Sequence, residues 1–285
     1  MELGPPELLA ADLAPGDTVA RQFDWSGLRI VRIRTPHHPL FDPVYDRLWQ
    51  EFGERGEMET RPVIASRASW DPQTRINDHA FRYEMLAVLR GEEIVALRDH
   101  TAMVPFRSPR GGAAGAALVH LSHVIVEPAL RGSGLAGWLR ALPIQTAREC
   151  AQAAGQPAVD GITLVAEMEH PDGVTPAVMA RLRSYQRAGF LKIDPDAAPY
   201  RQPDFRPPQQ IDRTCVQPVP LALVVRRIGR EAERSISGAE VRAIAAALYT
   251  MFGAHARPDH MAPLWAALER FPGPDERVAL QPPLQ

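Results

Sequence analysis

The chain has 285 residues, 45% hydrophobic and 23% charged, with a formal net charge of -2. That length and apolar content suffice for one large domain or two smaller ones with a real core. The near-neutral charge provides no global basic field, so neither nucleic acid nor an acidic membrane surface is expected as a partner.

In chain order, "LRIVRIRT" (Leu28 to Thr35) alternates apolar and charged residues, as a half-buried strand does. "PLFDPVYDRLWQEFGERG" reads as a helix, with Val44, Leu48 and Phe52 at helical spacing. A long connection from Glu59 to Glu84 follows, carrying Arg61, Arg67, Trp70 and Arg75. It is either a pocket wall for an anionic acceptor group or a solvated loop. Two apolar runs about Arg90-Gly91-Glu92 form an antiparallel hairpin. "RSPRGGAAGAA" (Arg107 to Ala117) reads as a mobile glycine-rich loop.

"LVHLSHVIVEP" is the next strand, stopped by Pro128. The helix after it carries Leu135, Trp138, Leu139 and Leu142 on one side, with Pro143 expected to kink or end it. "GITLVAEMEH" is a strand, and Thr175-Pro176 starts a helix whose Val178, Leu182 and Tyr185 share a face. "FLKID" and "PLALVVRRI" are strands, joined by a proline-rich extended stretch from Asp194 to Pro220. Ser237 and Glu240 have capping-box spacing before another helix, and a further helix spans Met261 to Arg270. The proline-rich ends, "GPP" and "QPPLQ", are expected to be loose.

Cys150 and Cys215 form no CxxC pair and no zinc spacing. Two free thiols suit a reducing cytoplasm, the expected location. The N-terminus lacks the basic start and unbroken apolar run of a signal peptide. No apolar run approaches the ~18 residues of a membrane span.

Between strand and helix stands "EPALRGSGLAGWLR" (Glu127 to Arg140). The first amides of a helix have no partner within it, and the helix dipole favours negative charge there. Glycines let such amides approach a phosphate. A tight turn with glycines for geometry alone is the other reading. The Walker loop is excluded because no lysine is present here. "GSGLAG" matches the dinucleotide fingerprint, but its strand follows a hairpin instead of opening a βαβ unit.

"VEPALRGSGLA" resembles the acyl-CoA motif of the GNAT acetyltransferase superfamily, [QR]-x-x-G-x-[GA], filled by Arg131, Gly134 and Ala136. "RLRSYQRAGFLKI" resembles the family's second signature, Y-x-x-x-G-F, with Tyr185, Gly189 and Phe190. The resemblance covers roughly residues 28–227. It implies an α/β (α+β) fold with a central mixed, mostly antiparallel twisted sheet flanked by helices. The expected organisation is an N-terminal extension (1–27), the acyltransferase domain (28–229) and a C-terminal helical extension (230–285).

The resemblance implies an N-acyltransferase that moves acetyl from acetyl-CoA to a primary amine by direct attack. The loop amides of Arg131, Gly132, Ser133, Gly134, Leu135 and Ala136 would hold the pyrophosphate. The backbone at Val124 and Val126 would pair with the pantetheine arm, and an N–H near Val126 would polarise the acyl carbonyl. Tyr185 occupies the general-acid position. Relatives often carry a base at the positions held here by Ser122 and His120; His120 is the candidate, and a water held by Glu84, Glu167 or Glu169 is the alternative.

Strand alternation predicts His120, Ser122 and Val124 on one face and His123 on the other. His255 and His260 read as surface residues, and no metal is expected. A small-molecule amine is the expected acceptor, and a homodimer stays open. The rival readings are a hydroxyl acceptor, or a GNAT-like module that binds acyl-CoA or a partner without turnover.

Overall fold

The chain divides into two units, Met1–Ile162 and Thr163–Gln285. The computed structural model describes residues 2–3, 9–106, 116–156 and 159–285. The "GPP" end and all of the glycine-rich stretch except its final residues, 116 and 117, lie outside the described residues.

The first unit is built on five strands: β1 (Glu2–Leu3), β2 (Leu28–Ile33), β3 (His79–Arg90), β4 (Glu93–Pro105) and β5 (Ala117–Val126). They lie in chain order, each antiparallel to the next. The β3–β4 hairpin turns at Gly91, as expected. One sheet face is covered by α1 (Phe41–Leu48), which widens into a π turn at Trp49–Gly53, and by α2 (Arg61–Arg67). Phe41, Val44, Leu48 and Ile64 pack there on Met85, Ala87 and Leu89. The connection after the first helix is therefore partly helical.

The other face is covered by α3 (Leu135–Ala153), whose Leu135, Leu139 and Leu142 pack on Ile30, Leu86 and Val88. Each such leucine contributes roughly 1.5–3 kcal/mol by burial. Trp138 is not on that side. It joins Ala141, Leu13 and Ala20 in a separate cluster, because residues 12–20 run along the outer face of α3. Arg148 pairs with Asp12 at 2.7 Å, Arg140 with Asp17 at 2.9 Å, and Trp138 Nε1 donates to Ala20 O at 2.7 Å. The helix is thus held from both sides. The helix runs on through Pro143, where a proline costs ~3 kcal/mol and was expected to kink or end it.

The second unit contains β6 (Ile162–Met168), α4 (Pro176–Arg187), β7 (Leu191–Ile193), β8 (Arg201–Gln202), α5 (Pro208–Thr214), β9 (Val219–Pro220) and β10 (Ala222–Arg227). It closes with β11 (Ser235–Ser237), α6 (Gly238–Gly253), α7 (Pro258–Leu268) and β12 (Arg277–Gln281). Its main sheet has the order β6-β10-β7-β12-β11, antiparallel throughout, so β10 is inserted between β6 and β7.

Two expectations are corrected here. The proline-rich connection holds α5 and the small β8–β9 pair. The C-terminal extension is not only helical: β12 pairs Leu280 with Ile193 and Gln281 with Lys192, so the strand reaches the first residue of the end expected to be loose. Ser237 caps the helix as expected, its Oγ accepting from Glu240 N at 3.2 Å.

Candidate active site

The last strand of the first unit, β5, bends before it reaches the glycine loop. Leu121 pairs with His100 and Val124 with Arg98, so Ser122 and His123 together oppose Asp99 alone. This is a β-bulge, one extra residue that flips the facing of everything beyond it. The expected alternation therefore fails. His123 reaches the face of Asp99 and Tyr83, where His120 also lies opposite Thr101, and Val124 packs on the α3 side.

Asp99 organises the bulge. It accepts from His123 N at 2.8 Å, from His123 Nδ1 at 3.0 Å and from the Tyr83 hydroxyl at 3.1 Å. His123 Nε2 donates to Glu57 O at 3.0 Å. Burial alone would lower the His123 pKa, but the Asp99 carboxylate lifts it to about 9. Burial would likewise raise Asp99, and the imidazolium holds it at about 2. The Asp99 carboxylate thus favours the charged form of His123. His120 is buried, with Ser122 Oγ 3.2 Å from its Nδ1. From Ser122 to Val126 every residue is partly exposed.

The loop continues this strand end. Arg131 Nε donates to Val126 O at 3.0 Å, tying the loop to the last strand residue. Ser133 Oγ donates to Leu130 O at 2.7 Å. Gly132 and Gly134 adopt φ of +79° and +101°, left-handed values that favour glycine. Backbone bonds run from Arg131 N to Pro128 O, Ser133 N to Leu130 O and Gly137 N to Gly134 O. The amides of Gly132, Gly134 and Ala136 stand outside that set, at the start of a 19-residue helix.

Whether this loop suits a pyrophosphate can be read from the space around it. A Cβ at Gly132 would meet nothing within 4 Å. The loop is open there, and its amide donors match an anion. A Cβ at Gly134 would instead meet Ala20, and one at Gly137 would meet Ala20 and Asp17. Those two glycines serve the close approach of the N-terminal segment.

The carboxylate alternatives to His120 are all engaged. Glu84 is fully buried between Arg32 and Arg34, with Glu149 completing the cluster. Burial would raise its pKa, but the two guanidinium groups hold it below the usual carboxylate range. Glu167 accepts from Tyr200 Oη at 2.7 Å and Gln202 Nε2 at 3.2 Å, and Glu169 pairs with Arg181 at 2.9 Å.

The arginines after the first helix are paired as well: Arg61 with Asp42, Arg67 with Glu59, and Arg75 with Asp78. Tyr185 belongs to the second unit, buried on α4 beside Val178 and Leu182, its ring edge-on to Phe190 at 4.8 Å. His260 is buried rather than on the surface. Among the described residues no group of three or more His, Cys, Asp or Glu could hold a metal.

Reading the strand by its periodicity does not single out Asp99 or Tyr83. The available signal was "LRDHT", charge in the middle of a strand flanked by apolar runs.

Comparison with solved structures finds acetyltransferases at low identity. An aminoglycoside acetyltransferase from an uncultured soil metagenomic sample is 12% identical, with a TM-score of 0.32 over 56% of this chain and 89% of that one. An acetyltransferase from Streptococcus agalactiae is 13% identical, with a TM-score of 0.35 over 71% and 99%. The GNAT domain of S. lividans PAT is 15% identical, with a TM-score of 0.26 over 70% and 90%. No family model and no curated protein matches the chain.

The element order is the one the GNAT resemblance implied. At these TM-scores the likenesses carry no weight of their own. That correspondence rests on the meander of the first unit and the strand–glycine loop–helix passage.

Proposed function

We propose that this protein is a GNAT-type N-acyltransferase that moves acetyl from acetyl-CoA to the primary amine of a small molecule. One observation carries the reading: a bulged, half-exposed strand end runs directly into a glycine-opened helix start with donor amides outside the loop's own bonds. Such a passage offers backbone groups to an extended arm and amides to a diphosphate.

Acetyl-CoA supplies a thioester activated toward a neutral amine. In this reading the amides of Gly132, Gly134 and Ala136, with Arg131, Ser133 and Leu135 around them, hold the pyrophosphate. The backbone of Val124 and Val126 lines the arm, and an N–H near Val126 polarises the acyl carbonyl. His120 takes the ammonium proton, and Tyr185 protonates the leaving sulfur. His123 is unsuited to the base role because Asp99 keeps it charged. The reading includes a cytoplasmic location, which the two free cysteines suit. No helix among the described residues is long and apolar enough to cross a membrane.

A second reading, an acyl-CoA-binding module without turnover, is favoured by the engagement of Glu84, Glu167 and Glu169 and by Ser122 at a position where relatives often carry a base. One experiment separates the two. Calorimetry with CoA reads binding, and thiol release from acetyl-CoA across a panel of amines reads turnover. Binding with turnover supports the enzyme, binding without turnover supports the module, and absence of binding removes both.

A further inference from the structure

We propose that Asp99 is a positioning residue for the acyl-CoA-binding end of β5, an inference that rests on the function proposed above. The carboxylate holds His123 at two points, the backbone amide and the ring. Its second oxygen is held by Tyr83, and the far side of the imidazole by Glu57 O. The extra residue of the bulge is therefore pinned in place. Three residues later Val126 O receives Arg131 Nε. A continuous set of contacts thus runs from Tyr83 through Asp99 and His123 along the strand to the glycine loop.

Stability is a poor reason for this arrangement. A buried ion pair often contributes no more than well-packed apolar residues of the same volume, and its best-attested use is to fix one register among several. Register is what is at stake in β5. A one-residue slip exchanges the two faces of a strand, and the bulge makes that exchange once, between Leu121 and Val124. Asp99 selects the arrangement in which Val124 and Val126 present the backbone that would receive the pantetheine arm.

The charged and titratable groups around the pair are Tyr83, Glu59 and Arg67, and the Phe52 ring lies 4.6 Å from the imidazole. Glu59 and Arg67 are themselves paired, so Asp99 is the counterion of His123.

The test uses the full chain and CoA. Asp99→Ala removes all three hydrogen bonds and the charge, and Asp99→Asn keeps an acceptor oxygen. Calorimetry should show Asp99→Ala binding CoA about tenfold more weakly, the effect of 1.4 kcal/mol of lost positioning. Hydrogen exchange without ligand should quicken at Ser122 to Val126. Asp99→Asn should recover most of the affinity, which a requirement for charge alone would not allow.

A folded Asp99→Ala variant with unchanged CoA affinity overturns the proposal. If the wild type binds no CoA, the functional reading fails instead, and unchanged exchange at Ser122 to Val126 in Asp99→Ala would separately overturn the clamp. Should Asp99→Ala not fold, the wild type decides by NMR. A His123 ring that stays protonated through about pH 8, with its amide protected, supports the clamp, and one that titrates near its ordinary ~6.5 overturns it.

Discussion

A Cβ added to Gly134 would lie 2.6 Å from the Cα of Ala20. The most diagnostic glycine of the loop is thus pressed against the N-terminal segment. Its absent side chain makes room for protein, whatever the amides beside it bind. Substituting it would disturb the docking of residues 12–20 and the ligand loop together.

Gly132 gives the cleaner experiment. A side chain there meets open space, so only the left-handed backbone is penalised, by roughly 1–2 kcal/mol. Gly132→Ala should bind CoA about tenfold more weakly while keeping most of its stability. Gly134→Val should lose several kcal/mol in urea unfolding, because backbone strain and a clash with backbone add. Equal CoA affinity in wild type and folded Gly132→Ala would remove the loop from the binding site.

The N-terminal segment makes its own prediction. Trp138 Nε1 donates to Ala20 O across α3. Trp138→Phe keeps an aromatic ring but removes one of the two donors to that carbonyl, leaving Phe23 N at 3.2 Å, at a cost of about 0.5–1.5 kcal/mol. The urea midpoint should fall accordingly. A midpoint equal to wild type would mean that the segment is not docked in solution.

Two histidines set opposite limbs of stability against pH. His123 is raised to about 9, so its contribution is complete below its unfolded value near ~6.5 and is lost as pH rises through 9. His100 is lowered to about 4 by burial, against the pull of Glu84, so its contribution is complete above ~6.5 and is lost as pH falls toward 4. Stability should peak between the two, near pH ~6.5. The His123 limb is on the order of 2–3 kcal/mol. Urea midpoints from pH 4 to 9 should show it, and His123→Gln should flatten the alkaline side alone. A wild-type midpoint unchanged from pH 7 to 9 would contradict this.

Much of the fold could be read from sequence because its signals are local. Alternation placed β2, the Gly91 turn placed the hairpin, and Ser237 with Glu240 placed the start of α6. The errors lie where one element answers to another far away in sequence. Trp138 looked like part of the sheet-facing stripe until residues 12–20 covered the outer side of α3. The facing of His123 turned on Asp99, which lies on the neighbouring strand. Periodicity cannot reveal a bulge, since a single added residue leaves both halves of the strand alternating correctly. The loop glycines were found by motif, yet their reasons divide between an open side at Gly132 and a packed side at Gly134.

Tyr185 tests the chemistry itself. It lies on the buried stripe of α4 with its ring edge-on to Phe190, so its packing alone would justify an aromatic residue. The hydroxyl is what separates packing from catalysis. Tyr185→Phe keeps the ring and the Phe190 contact, and it should leave CoA affinity close to wild type. If the hydroxyl protonates the departing sulfur, turnover at saturating substrates should fall about 10- to 10³-fold, in the range of a single positioned acid. The loss should appear in kcat rather than in KM, because the proton moves only as the thioester breaks. Turnover equal to wild type would reduce Tyr185 to a core residue and leave the leaving group to water.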